Sequence, residues 1–261
     1  CKKRGLTGEI AARYGIGYAP DGWNNLKTVF SDYDSDELKI AGLILDNESG
    51  RRYDRFRDRL MIPIINPKGD IIGFGGRVID QGEPKYLNSP ETPLFEKGRE
   101  LFGLPQARQA LRETNTAIVT EGYMDVIALA QNGVGNAVAT LGTATTPTHV
   151  QKLLRQMDRI DFCLDSENAG RKAAWRALEN ALEALADNKP IGFVFLPAEH
   201  DPDSFIREYG KAEFDRQVTQ AMPLSDFLLR ELAQRCDLTS AEGKAKLIYE
   251  AKPLLLKLPT P

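Results

Sequence analysis

The sequence is poor in the residues that build thiolate and imidazole sites. Its 261 residues hold three cysteines and two histidines. Cys1, Cys163 and Cys236 lie far apart and form no CxxC pair, so no zinc site of ordinary spacing is encoded, even with His149 and His200. Cys163 sits in the apolar run IDFCL. This reads as a buried free thiol, and sparse cysteine fits a reducing cytoplasm better than a disulfide scaffold. Long apolar runs are also missing: none approaches the roughly 18 residues of a membrane span, and no secretory signal pattern is visible. Net charge is scarce as well. Lys and Arg number 34 against 37 Asp and Glu, a balance of -3. That excludes a histone-like protein that holds nucleic acid by bulk charge, while leaving room for a local basic patch.

What is present is an ordinary globular composition. At 42% hydrophobic and 27% charged residues, the chain can build a core. It opens on Cys1 rather than Met and stops in the apolar LIYEAKPLLLKLPTP, which reads as a piece of a longer protein.

Charge and turn signals divide the chain. Residues 51–110 hold 11 Lys and Arg against 8 Asp and Glu, whereas residues 111–261 hold 17 against 21. The first 110 residues are rich in turn signals (PDGW, NPKGD, GFGG, NSPETP) between short β-type runs, which predicts mixed α+β structure. Pro67-Lys68-Gly69-Asp70 between two apolar runs predicts a hairpin. From about residue 97, strand-length apolar runs alternate with helical patterns. Strands are expected at Thr116–Thr120, Asn136–Leu141, Ile160–Leu164 and Gly192–Leu196, and helices at 123–132, 147–157, 169–186 and 211–221. This alternation predicts a mostly parallel four-stranded sheet flanked by helices in an α/β domain. After Pro223 the spacing is helical with no further strand. The expected division is 1–96, a mixed α+β subdomain; 97–223, the α/β domain; and 224–261, a helical segment.

Open parallel sheets bind ligands at the carboxyl ends of their strands. Three strands here run into acids: AIVT into Glu121-Gly122-Tyr123-Met124-Asp125, IDFCL into Asp165-Ser166-Glu167, and GFVFL towards Asp201-Pro202-Asp203. Carboxylates gathered on one edge repel unless cations separate them, and hard oxygen donors suit Mg²⁺ or Mn²⁺. Each motif also has a structural reading. Asp165 or Ser166 could cap the helix that follows, and Asp201-Pro202-Asp203 could be a helix start with Pro202 at its first position.

The combination EGYMDVIALAQNGV, AVATLGTATT and an acidic pair before AGRKAA resembles a Toprim domain. Upstream, RFRDRLMIPIINPKGDIIGFGGRVI and PKYLNSPETPLFEKGRELFGL resemble the RNA-polymerase core of the bacterial replicative DNA primase family of the DnaG type. The resemblance covers nearly the whole chain. It implies a central Toprim domain at residues 97–223. It also implies that Glu121 matches the catalytic or metal-organising glutamate, and that Asp165 and Glu167 match the two acids of the family's DxD motif. Asp125, Asp201 and Asp203 match further acidic positions around two or more Mg²⁺ or Mn²⁺ ions. The family usually reads DGD where this chain reads Asp165-Ser166-Glu167. Glu167 therefore carries its carboxylate one methylene further out, and a misplacement of about 1 Å can cost on the order of 100-fold in rate.

Arg51, Arg52, Arg55, Arg57 and Arg59 crowd together with Asp54 and Asp58. They read either as a salt-bridged face or as phosphate ligands. Arg77 follows Gly73-Phe74-Gly75-Gly76, and Lys85, Tyr86 and Asn88 combine a cation, an aromatic face and an amide in one loop. By the resemblance, Arg55, Arg57, Arg77, Lys85, Tyr86, Asn88 and Lys97 would bind nucleotide or nucleic acid. Trp175, at helical spacing among alanines, reads as core.

The resemblance implies synthesis of short RNA primers from ribonucleoside triphosphates on a single-stranded DNA template, in the bacterial cytoplasm at the replisome and away from membranes. The alternatives are a Toprim nuclease or topoisomerase, or a non-catalytic single-strand binding module. The zinc domain and the helicase-binding domain of the family are expected outside these residues. Contacts with the replicative helicase and with single-stranded DNA-binding protein are then expected mostly elsewhere.

Overall fold

Asn66 makes the hairpin that the turn signal predicts. Its side-chain oxygen accepts the N–H groups of Lys68 (2.9 Å) and Asp70 (3.0 Å), and Gly69 takes a positive φ of 100° that a side chain would resist. The computed structural model describes residues 5–80, 82–164, 168–186 and 188–259. Two compact units divide between Gln106 and Ala107.

The first unit contains, in chain order, α1 (Gly8–Arg13), β1 (Gly17–Ala19), α2 (Asp36–Ile40), β2 (Ile44–Asp46), β3 (Arg52–Asp54), β4 (Arg59–Ile65), β5 (Ile71–Val78) and β6 (Tyr86–Asn88). Strands β1, β4, β5 and β6 form an antiparallel sheet in the order β1-β4-β5-β6. Strands β2 and β3 form a separate antiparallel pair. Asp54 at the end of β3 is buried and fully used. One carboxylate oxygen accepts the Tyr33 hydroxyl at 2.8 Å and the other the Leu26 N–H at 3.0 Å, beside a small core of Tyr33, Leu38 and Ile44. This is how a buried carboxylate is tolerated.

Helix α3 (Leu104–Thr114) leads into the second unit. There follow β7 (Thr116–Thr120), α4 (Tyr123–Gln131), β8 (Ala137–Ala139), α5 (Pro147–Leu154), β9 (Arg159–Leu164), α6 (Asn168–Leu182), β10 (Ile191–Phe195), α7 (Pro202–Thr219), β11 (Met222–Pro223), α8 (Leu224–Gln234) and α9 (Ala241–Leu255). The sheet order is β11-β10-β9-β7-β8. Strands β8, β7, β9 and β10 are parallel, as their near-continuous apolar runs require of strands covered on both faces. Four strands were expected and five are present. The fifth, β11, pairs antiparallel with Gly192 and Phe193. It is two residues long and includes a proline, so no periodicity announces it.

Helix α7 also departs from expectation. It begins at Pro202 rather than near residue 211, and Gly210 interrupts it with φ 77°. Asp201 caps it, accepting the Ser204 N–H at 2.7 Å. The segment after Pro223 is helical, as the spacing predicts. Its α8 supplies Phe227, whose ring lies 4.6 Å from Phe193 in the core. Cys163 is a buried free thiol. Trp175 corrects the core reading: it is half-buried and the Arg235 guanidinium covers its ring at 4.0 Å. Among the described residues, no helix is long and apolar enough to cross a membrane.

Candidate active site

The parallel register brings the carboxyl ends of two strands to one edge of the sheet. β7 and β9 are neighbours, with Val119 opposite Phe162. Glu121 follows the last residue of β7, and Asp165 follows the last residue of β9. Glu121 is exposed and lies on the wall of a cavity of about 470 Å³. Asp165, Ser166 and Glu167 lie outside the described residues.

The other strand-end acids have local partners. The Asp125 carboxylate turns back to accept the Gly122 N–H at 3.1 Å, fixing the first turn of α4. A side chain at Gly122 would bring its Cβ within 2.8 Å of that carboxylate oxygen, so the glycine makes room for the contact. Asp201 is the cap of α7. Asp203 is buried and pairs with Arg207 at 2.9 Å, one turn along the helix. Among the described residues, no three His, Cys, Asp or Glu side chains lie close enough to hold a metal ion. The donors at the strand ends are nonetheless all carboxylates, a chemistry that fits Mg²⁺ or Mn²⁺ and not zinc.

Burial raises the pKa of Asp161, in the middle of β9, against the lowering effect of Arg159. The guanidinium of Arg159 grips this fully buried carboxylate at 2.8 and 3.0 Å. Sequence reading missed this pair, since an acid inside an apolar strand gives no spacing signal. His149 is buried, and its Nδ1 accepts the Thr146 N–H at 3.2 Å, so this nitrogen closes a helix cap rather than standing ready as a base.

In the first unit the arginine cluster divides. Arg52 follows the salt-bridge reading, with Asp36 at 3.0 Å and Asp46 at 3.4 Å. Arg57 donates to the Asp54 carbonyl and lies over the Trp23 ring at 4.4 Å and the Tyr53 ring at 5.1 Å. Arg55 donates to the Asn88 carbonyl at 3.0 Å, and burial lowers its pKa from the ordinary arginine value. Arg77 on β5 stands directly opposite Tyr86 on β6, its guanidinium 5.5 Å from the ring centre. The Nε atoms of Arg55 and Arg77 are buried and have no hydrogen-bond acceptor among the described residues. Tyr86 and Asn88 alternate along β6 and so share a face with Arg77. Lys85 is exposed beside them. The Lys97 N–H donates to the Glu91 carboxylate at 3.2 Å, further along the chain. Arg55, Arg77, Tyr86 and Asn88 therefore come together, and Arg57 sits on a separate aromatic patch.

Comparison with known proteins agrees with this architecture. Residues 1–108 match the family model "DNA primase catalytic core, N-terminal domain" and residues 118–206 the "Toprim-like" model. Residues 225–261 match "DnaB-helicase binding domain of primase". That last match corrects the expectation that the helicase-binding domain lies outside the chain: α8 and α9 carry its signature. Among curated proteins, the DNA primase of Neisseria meningitidis is 56% identical over 99% of this chain, and that of Escherichia coli K12 is 48% identical over 99%. The chain spans 44% and 45% of their lengths. Among solved structures, a DnaG primase catalytic domain bound to single-stranded DNA matches with TM-score 0.92 at 48% identity, over 99% of this chain and 84% of its own. A DNA primase domain from Pseudomonas aeruginosa matches with TM-score 0.95 at 52% identity, over 99% of this chain and 82% of its own. With such identity along nearly all of a solved primase domain, the chain belongs to the DnaG-type DNA primase family and corresponds to its catalytic core.

Proposed function

We propose that this chain is the nucleotidyl-transfer core of a primase, making short RNA primers on single-stranded DNA. The observation that supports the reading is the parallel adjacency of β7 and β9, whose carboxyl ends share one edge of the sheet; in sequence those strands run directly into Glu121 and Asp165. Glu121, Asp165 and Glu167 would hold Mg²⁺ or Mn²⁺, which when bound neutralises phosphate charge and lowers the pKa of the attacking hydroxyl. Glu121 would also serve as the group that accepts or orients a proton at the 3′-hydroxyl. Asp125, Asp201 and Asp203 complete the acidic set, each from a position fixed by its own helix start.

Arg77 and Tyr86 would take a nucleotide by charge and stacking, and Asn88 by hydrogen bonding. Arg55, Arg57, Lys85 and Lys97 would follow the phosphate backbone, which makes binding salt-sensitive. A three-part division at about residues 96 and 223 separates this basic surface, the Toprim catalytic domain and the helicase-facing helices. The partners are the DNA template, ribonucleoside triphosphates, the growing RNA, the replicative helicase and single-stranded DNA-binding protein, in the bacterial cytoplasm.

The test is incubation with single-stranded DNA, four ribonucleotides and Mg²⁺ or Mn²⁺. Short RNA products that disappear in Glu121→Gln support the reading. Strand cleavage without synthesis replaces it with a nuclease. Binding of DNA with no chemistry and no response to metal replaces it with a binding module.

A further inference from the structure

Two cations on α6 have no assigned role. Lys172 and Arg176 are one helical turn apart, so they share a face. Both are exposed and both line the cavity that Glu121 lines. Like charges at this spacing repel mildly, and a solvated helix face usually answers them with a carboxylate. Here neither side chain makes an ion pair or a side-chain hydrogen bond among the described residues, although other surface cations of the unit do, such as Lys211 with Asp215 and Arg216 with Glu213. The loop after β8 lines the same cavity, with Thr143 and Thr145 just beyond Gly142, whose φ is 77°. Two threonines and two cations thus line one space of about 470 Å³.

We propose that Lys172 and Arg176, with the Thr143–Thr145 loop, form a shelf for a phosphate chain. An ammonium and a guanidinium supply point charge and a planar fork, a pair suited to a polyphosphate rather than to one carboxylate. Glu121 lines the same cavity, so without a metal it repels the anion towards the two cations of α6. The shared chemistry is a di- or triphosphate. It has two sources in the proposed reaction, the tail of a bound ribonucleotide and the pyrophosphate released from it. The shelf rests on the proposed function only for these sources; its capacity to bind the anion stands on its own geometry.

The experiment is calorimetric titration of the full chain with sodium pyrophosphate, and separately with ATP and inorganic phosphate, each with and without Mg²⁺. Lys172→Gln and Arg176→Gln should each weaken pyrophosphate binding by about tenfold, the loss of one charge-assisted contact, and Lys172→Arg should keep most of it. Melting temperatures should not move, because both residues are exposed. Equal weakening of ATP assigns the shelf to the triphosphate tail, and weakening of pyrophosphate alone assigns it to the product. Unchanged pyrophosphate affinity in the double variant, or none in the unaltered chain, overturns the proposal even if primers are made. Charge-dependent pyrophosphate binding in a chain that makes no primers would retain the shelf and remove the proposed function.

Discussion

The Asp125 carboxylate reaches back three residues to the Gly122 N–H, and this hydrogen bond fixes the turn on which Glu121 is carried. On the proposed function, position and chemistry are divided between two acids of one motif. Glu121→Gln should abolish most primer synthesis, on the order of 100-fold or more, with little change in melting temperature, because Glu121 is exposed. Asp125→Ala should instead cost stability, about 1 kcal/mol for the lost cap, and lower synthesis through a displaced Glu121. A melting curve beside a gel of labelled RNA separates the two.

Arg77 lies 5.5 Å from the Tyr86 ring centre, and its buried Nε has no hydrogen-bond acceptor among the described residues. An unmet buried donor costs about 1–3 kcal/mol. Arg77→Met should therefore leave the chain as stable as before or more so, while ribonucleotide or DNA affinity falls about tenfold. Fluorescence anisotropy with labelled DNA, paired with thermal melting, reads both. A variant that loses stability and keeps affinity would make Arg77 a structural residue.

The raised pKa of Asp161 gives a pH signature. Its folded-state pKa lies above the ordinary 3.8, so folding takes up a proton in the window between the two values. Stability from this group is present below 3.8 and is lost as pH climbs through the raised value. Asp161→Asn cannot ionise, so its melting temperature should gain on that of the parent as pH rises across the window and then run parallel. A constant difference at all pH values would deny the raised pKa.

Gly192 stands where a Cβ would come within 2.4 Å of an Asp161 carboxylate oxygen and 3.0 Å of the Ala221 methyl. Gly192→Ala should destabilise by about 1–3 kcal/mol, the cost of overpacking a closed core. Denaturant unfolding should show a lower midpoint with an unchanged slope. Gly192→Ala in an Asp161→Ala background should recover part of the loss, since the clashing oxygen is gone.

Much of the second unit could be read in the sequence because its strands are buried on both faces. Thr116–Thr120 is a run of small and apolar residues ending at Glu121, and its bounds in the structure are those expected. The antiparallel hairpin was equally readable, since Asn66 and Gly69 carry turn chemistry in their own side chain and dihedral. Features that depend on distant chain segments were not readable. Lys172 and Arg176 look like any solvated pair until the fold brings them to one cavity with the Thr143 loop. The start of α7 was hidden because Asp201 and Asp203 fit both a cap and a metal ligand, and only the hydrogen bond to Ser204 identifies the cap. The division of the arginine cluster was likewise settled by partners far along the chain, Asp36 and Asp46 for Arg52 and Trp23 for Arg57.

The two-residue strand β11 has a bearing on solution behaviour. An open parallel sheet has two rims, and an exposed rim of unpaired N–H and C=O groups invites another chain to add itself. One rim here is β8, three residues long. The other closes on Met222 and Pro223, and proline has no N–H to offer a newcomer. Such brevity and the proline together act as a guard against intermolecular zippering, so the sheet that carries the acidic edge resists templating fibrils.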